Sequence, residues 1–264
     1  MEIDEFSIPG ENLLELDKIY NMDCLKGMKS INDNSIDLIV TSPPYNVGKE
    51  YSDYSDSLEW QEYKDWSKKW ISECYRVLRK DGRFCLNVVD SINKVEFPAS
   101  IILGGICLNA GFKFYADIIW YQGDMYTSTA WGSWKSASNP TFINSYEHIL
   151  VFYKLSKNKD ILGEDDITGY EFKKFIHTMW KFQSENRSNN PHPAPFPEEL
   201  SYRLIKLLSY KKDIILDPFI GSGTTALSAK ILDRRYIGFE ISKEYCELAG
   251  RRLKKHTLVD KWTI

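Results

Sequence analysis

The chain has 264 residues, 43% of them hydrophobic, and 34 Lys and Arg against 37 Asp and Glu give a formal net charge of −3. That length and apolar content suit one sizeable core, so residues 1–264 are expected to form a single domain. The charge excludes a protein that holds polyanions by bulk basicity, and no apolar run approaches the ~18 residues of a membrane span.

In chain order, Lys18 to Tyr20 reads as a first strand and Asp37 to Val40 as a second. The apolar run Ile36-Asp37-Leu38-Ile39-Val40 leads directly into Ser42-Pro43-Pro44-Tyr45. Two successive prolines fix two φ angles and remove two backbone donors, leaving a rigid corner rich in carbonyl acceptors. Ser42 adds a hydroxyl and Tyr45 a flat ring, so the corner suits a planar, amino-bearing group such as a nucleobase. Leu58 to Leu78 carries Trp66, Trp70, Cys74, Val77 and Leu78 at helical spacing, which makes its Lys and Arg residues the wet face of an amphipathic helix.

Strands are expected at Gly82 to Val89, Lys113 to Tyr121 and His148 to Tyr153, the last two as an antiparallel pair. The loop between them, Gln122 to Asn144, mixes Tyr126, Trp131, Trp134, Lys135 and Phe142 with small polar residues, a composition expected of a functional loop that lines a pocket or grips a ligand. Lys157 to Asn190 reads as polar and irregular, acidic at first and then aromatic and basic. His148, His177 and His192 share no metal-ligand spacing and read as structural or loop residues.

Glu198 to Leu208 reads as a helix and Asp213 to Leu216 as a buried strand. Asp217-Pro218-Phe219-Ile220-Gly221-Ser222-Gly223-Thr224 follows, then a helix from Thr225 to Leu232. Gly221 and Gly223 let the backbone turn tightly and approach a ligand, as at the nucleotide site of an open α/β sheet. No Gly-Lys-Ser/Thr follows, which excludes a phosphate-binding P-loop, and the three-glycine dinucleotide spacing is missing. Arg235 to Phe239 forms a further strand, and Glu240 at its tip is placed to accept hydrogen bonds from a ribose diol.

With these segments in hand, the chain resembles the amino-methylating DNA methyltransferases that use S-adenosylmethionine. Ser42-Pro43-Pro44-Tyr45 is similar to their catalytic tetrapeptide and Asp217 to Thr224 to their cofactor loop. The catalytic motif comes first and the loop last, which resembles the permuted beta class. His192-Pro193-Ala194-Pro195-Phe196-Pro197 looks like the segment packing on the methionine end of the cofactor, and Tyr20-Asn21-Met22-Asp23-Cys24 like the strand end whose Asp meets its adenine.

The resemblance implies a mainly parallel, doubly wound α/β sheet with one reversed strand, and a DNA-recognition insertion at about 122–190. It implies cofactor contacts from Asp23, Phe196, Asp217, Phe219, Gly221, Ser222, Gly223, Thr224 and Glu240, with Asp217 near the methionine portion. Ser42 Oγ and the Pro43 carbonyl would accept the two amino hydrogens, and Tyr45 would stack on an extruded base. Methylation at carbon 5 of cytosine uses a Pro-Cys pair, and no cysteine here follows a proline. Ser at position 42, in place of Asp or Asn, leans toward cytosine N4, with adenine N6 the alternative. DNA is the expected partner, with a second copy of the chain and a cognate restriction endonuclease as further candidates. Five cysteines without a Cys-x-x-Cys pair fit reduced thiols in a cytoplasm, and Met1-Glu2-Ile3-Asp4-Glu5 lacks the basic and apolar regions of a signal peptide.

Overall fold

The computed structural model describes residues 14–46, 50–51, 54–55, 58–90, 97–123, 132–140, 142, 144–183 and 197–255. Its strands are β1 (Lys18–Asn21), β2 (Ile36–Thr41), β3 (Glu50–Tyr51), β4 (Tyr54–Ser55), β5 (Leu78–Val88), β6 (Lys113–Tyr121), β7 (Tyr146–Tyr153), β8 (Met179–Lys181), β9 (Ile214–Asp217) and β10 (Arg235–Glu240). Eight form one sheet in the order β1-β10-β9-β2-β5-β7-β6-β8, while β3 and β4 pair separately. β7 runs antiparallel to both its neighbours, and every other pairing in the large sheet is parallel. The expected sheet with one reversed strand is therefore present.

Parallel strands lie between helices, so both faces must be apolar. Leu38, Val40, Cys85, Ile215 and Tyr236 join a core with α4 (Gly169–Phe175), α5 (Glu198–Leu208), α6 (Thr224–Ile231) and α7 (Lys243–Lys255). Ile39, Phe84, Leu86, Leu216, Ile237 and Phe239 join the opposite core with α1 (Cys24–Met28), α2 (Trp60–Val77) and α3 (Ala99–Asn109). The period-two alternation along each strand thus fills two layers, and the parallel strands end together at one edge of the sheet. Asn21, Thr41, Val88, Asp217 and Glu240 are the residues at that edge.

Most element boundaries shift from the sequence reading by one or two residues, and the largest shift lies at the start of β5. The helix expected to reach Leu78 stops at Val77, and β5 starts at Leu78 rather than at Gly82. Lys154 explains the abrupt join: its buried Nζ donates to the carbonyls of Arg76 (3.2 Å) and Leu78 (2.8 Å), satisfying helix-end acceptors that a turn would otherwise serve. The segment expected to be irregular contains α4 and β8. Thr168 and Glu171 form a reciprocal capping box there, and β8 adds to the sheet edge beside β6 with Trp180 buried beneath it.

Of the loop expected at Gln122 to Asn144, Tyr126 and Trp131 lie outside the described residues, and Trp134 is exposed. Among the described residues no helix is long and apolar enough to cross a membrane. Cys24, Cys74, Cys85 and Cys107 are buried, and no disulfide occurs among the described residues.

Candidate active site

β2 and β9 are neighbours, with Leu38 opposite Ile215 and Ile39 opposite Leu216. The proline corner that follows β2 and the glycine loop that follows β9 therefore emerge side by side. A single bond fastens them: Thr41 Oγ1 donates to Asp217 Oδ1 at 2.7 Å, across 176 positions of sequence. Both side chains are buried, where an unpaired hydroxyl or carboxylate would be costly.

At the corner, Ser42 Oγ and Tyr45 Oη share a hydrogen bond of 2.7 Å. The Tyr45 hydroxyl also lies 3.5 Å from the Asn87 carbonyl and receives Asn87 Nδ2 at 3.4 Å. Sequence reasoning gave Tyr45 only a stacking surface, so the hydroxyl contact to Ser42 is an addition. Tyr63, from α2, donates to the Pro44 carbonyl at 2.8 Å and fixes the outer proline.

Four further residues shape this corner without having been singled out from sequence. Asn46 adopts a left-handed φ of 56° and pairs with the Leu58 backbone in both directions, at 2.7 and 2.6 Å. An Asn directly after a rigid corner is the residue type that tolerates this conformation, so a signal was present. Asn87 and Glu147 left none, because their pairing depends on the reversed strand: Asn87 Nδ2 donates to Glu147 Oε2 at 2.7 Å, and Gln122 Nε2 to Glu147 Oε1 at 2.8 Å. The Asn87 Oδ1 atom is buried without a hydrogen-bond partner among the described residues.

The glycine loop turns on Gly221 (φ 51°) and Gly223 (φ 83°), both in the left-handed region. A Cβ on Gly223 would lie 2.8 Å from the Ala249 Cβ of α7, so helix packing as well as backbone conformation demands glycine. Asp217, expected near the methionine portion of a cofactor, is buried with its carboxylate engaged by Thr41, by Thr225 Oγ1 at 2.7 Å and by the Phe219 N–H at 3.1 Å. Its geometry is that of a brace for the loop. Burial pushes its carboxyl up to about 6, against the pull of those three donors. Ser222 and Thr224 are buried too, and their hydroxyls face α7, where both accept from Arg252. Phe219 sets its ring 5.4 Å from Trp66 and 5.2 Å from Trp70.

Glu240 ends β10 opposite Asn21 of β1. Its oxygens accept from the N–H groups of Gly221 (2.9 Å) and Ser242 (2.8 Å), which pins the carboxylate beside the loop. Burial raises its carboxyl above the ordinary value. Asp23 follows Asn21 closely and caps α1, its Oδ1 accepting from the Lys26 N–H at 3.1 Å. The structure thus gathers Asp23, Ser42 to Tyr45, Asp217 to Thr224 and Glu240 along one sheet edge. Phe196 and His192 lie outside the described residues. His148 is engaged by Asp117 at 3.0 Å, and no metal-binding cluster occurs among the described residues.

Residues 36–251 match a family of DNA methylases, the N6- and N4-methyltransferases. Type II methyltransferase M.MjaVI of Methanocaldococcus jannaschii is 42% identical over 180 residues, 64% of this chain and 92% of that protein. M.HpaI of Haemophilus parainfluenzae, another Type II methyltransferase, is 33% identical over 240 residues, covering 87% and 71% of the two chains. Among solved structures, a Thermus thermophilus protein described as a DNA modification methylase and complexed with S-adenosyl-L-methionine superposes with a TM-score of 0.72 at 26% identity, covering 90% of this chain and 93% of that one. With its reversed-strand sheet and the proline corner tied to the glycine loop, the chain belongs to the amino-methylating DNA methyltransferases of the N6/N4 family.

Proposed function

We propose that this protein methylates the exocyclic N4 of cytosine at a specific DNA sequence, drawing the methyl group from S-adenosylmethionine. The observation that carries the reading is the Thr41–Asp217 bond, which holds the base-gripping corner against the cofactor loop. The donor set fits that cofactor. Each Glu240 oxygen accepts one backbone N–H, and a carboxylate retains lone pairs for a ribose hydroxyl pair. Asp23 stands at the neighbouring strand end for the adenine, Gly221 and Gly223 expose loop backbone, and Phe219 offers a ring face. S-adenosylmethionine, when bound, supplies an electrophilic methyl on a positively charged sulfonium.

Catalysis by the chain itself is a matter of hydrogen-bond acceptance. The amino nitrogen of cytosine is a weak nucleophile because its lone pair is delocalised into the ring. Accepting its hydrogens at Ser42 Oγ and the Pro43 carbonyl favours the pyramidal nitrogen of the transition state. When the Tyr45 hydroxyl donates to the Asn87 carbonyl, the Ser42 hydroxyl can donate to Tyr45 Oη, which turns its lone pairs to the substrate and makes it a better acceptor. The Tyr45 ring offsets the cost of extruding the base, since stacking returns about 1–3 kcal/mol. Pro44, fixed by Tyr63, keeps the corner from relaxing.

Ser42 opening the corner favours cytosine over adenine. Incubating the protein with DNA and labelled cofactor, digesting to nucleosides and weighing the products tests both levels. N4-methylcytosine is expected. N6-methyladenine alone would overturn the choice of base, and no methylated nucleoside would overturn the activity.

A further inference from the structure

Basic residues near a helix C-terminus, here Arg251, Arg252, Lys254 and Lys255 of α7, ordinarily face solvent or complement the helix dipole. Arg252 does something else. Its Nη1 donates to the Ser222 carbonyl at 2.7 Å, to Ser222 Oγ at 2.9 Å and to Thr224 Oγ1 at 3.1 Å. Its Nη2 donates to Glu198 Oε1 at 3.1 Å, and both partners of that ion pair are less than a fifth exposed. One guanidinium thus joins α7, the glycine loop and the first turn of α5.

We infer that Arg252 is a positioning residue for the cofactor, holding the glycine loop and the chain entering α5 in one fixed relation. The loop needs such an external hold. Its two glycines turn the backbone through the left-handed region, at Gly223 with no room for a Cβ, and glycine is the residue least able to fix its own conformation. Clamping the Ser222 carbonyl fixes the plane of the 222–223 peptide, while the Gly223 N–H is spent on the Ile220 carbonyl at 2.8 Å. Ala249, on the same helix, presses on Gly223 from behind. Glu198 directly follows Pro197, the end of the proline-rich segment at 192–197. The glycine loop and the first turn of α5, distant in sequence, are therefore referenced to the same side chain. Guanidinium geometry suits this: several donors in a planar fork reach acceptors on different elements, which an ammonium on a flexible stem cannot reproduce.

The inference rests on assigning the 217–224 loop to the cofactor, and the test separates the two. Dissociation constants for S-adenosylmethionine would be measured by equilibrium dialysis on the full chain, with thermal midpoints and steady-state constants for DNA in parallel. Arg252→Met is expected to weaken cofactor binding roughly tenfold or more, as for loss of a charge-assisted hydrogen bond. Its KM for DNA should stay near the wild-type value at saturating cofactor. Arg252→Lys should fall between the two, and Glu198→Gln should weaken binding less than Arg252→Met.

The double variant Glu198→Gln/Arg252→Met should be no worse than Arg252→Met alone, because both changes cut one tether. Should Arg252→Met fail to fold, Arg252→Lys and Glu198→Gln carry the measurement. Cofactor binding within twofold of wild type in the folded variants, or additive losses in the double variant, would overturn the inference. Gly223→Val is the control for the loop itself: weakened binding there with none at Arg252 removes only the positioning role. Unchanged binding in Gly223→Val removes the loop assignment, and the inference with it.

Discussion

Replacing Asp217 by Asn exposes a contest inside the site. Three donors pull the Asp217 carboxyl down, from Thr41, Thr225 and the Phe219 N–H, while complete burial pushes it up, and burial wins, to about 6 from 3.8. A carboxyl moved that far corresponds to about 3 kcal/mol. The folded state then holds the proton more tightly than the unfolded chain. Between about pH 4 and pH 6 the folded protein carries more protons, so rising pH removes stability until the group is ionised in both states. The amide introduced by Asp217→Asn cannot titrate. The difference in thermal midpoint, wild type minus Asp217→Asn, should therefore drop by about 6–12 °C from pH 4 to pH 7, at about 2–4 °C per kcal/mol. Glu240 adds to the same trend, because Asp217 is one of the charges raising it and the substitution relieves that. Comparing variants cancels the titration of distant groups, and differential scanning calorimetry across that range reads the result. A difference that stays flat, or that rises with pH as for a carboxylate held ionised by its donors, would refute the dominance of burial.

Tyr45→Phe keeps the ring and deletes the hydroxyl that meets Ser42, so kcat should fall about fivefold, the worth of one net hydrogen bond of about 1 kcal/mol, with KM for DNA little changed. Tyr45→Ala also removes the stacking surface and should cost about 1–3 kcal/mol more. Steady-state methyl transfer resolves the two: an unchanged kcat in Tyr45→Phe would mean that the hydroxyl does not act through Ser42, and equal losses that the ring does not stack on the base. Asn46→Ala loses both bonds to Leu58 and places a β-carbon-bearing residue of lower left-handed tolerance at φ 56°, so it should destabilise by about 2–3 kcal/mol. Asn46→Gly keeps the conformation and should lose less. Chemical denaturation orders the pair, and the reverse order would show that backbone conformation does not matter at that position.

Much of the architecture was legible because parallel strands must be apolar on both faces, and β2, β9 and β10 announce themselves as such runs. The reversed strand followed from the span between Lys113 to Tyr121 and His148 to Tyr153, a long loop too poor in helix formers for a crossover helix. What sequence missed had two physical origins. The α2–β5 join depends on Lys154, whose partners Arg76 and Leu78 lie on other elements, and nothing local to Leu78 forecasts a strand beginning there. α4 was masked by its surroundings, yet Thr168-Gly169-Tyr170-Glu171 is a readable capping box. Around the sheet edge, Ser42, Tyr45, Gly221, Gly223 and Glu240 could be singled out because each stands at a turn or a strand tip. Asn87, Glu147 and Arg252 were not, since each acts across elements whose adjacency only the sheet order supplies.

Thr41 marks the boundary between these two kinds of information. It ends an apolar strand whose neighbours are buried on both faces, so its hydroxyl must find a partner in the protein. Asp217 ends another such strand and carries the same obligation. Two polar residues, each closing a run that allows no water, can satisfy each other only if their strands lie side by side and stop at the same height. The pairing of β2 with β9 meets both conditions. The same bond that relieves two desolvation penalties sets the distance between the proline corner and the glycine loop. Stability and the corner-to-loop spacing on which the proposed methyl transfer depends are thus one constraint at this position, and Thr41, to which no chemistry of its own is assigned, is where a small change would register in both.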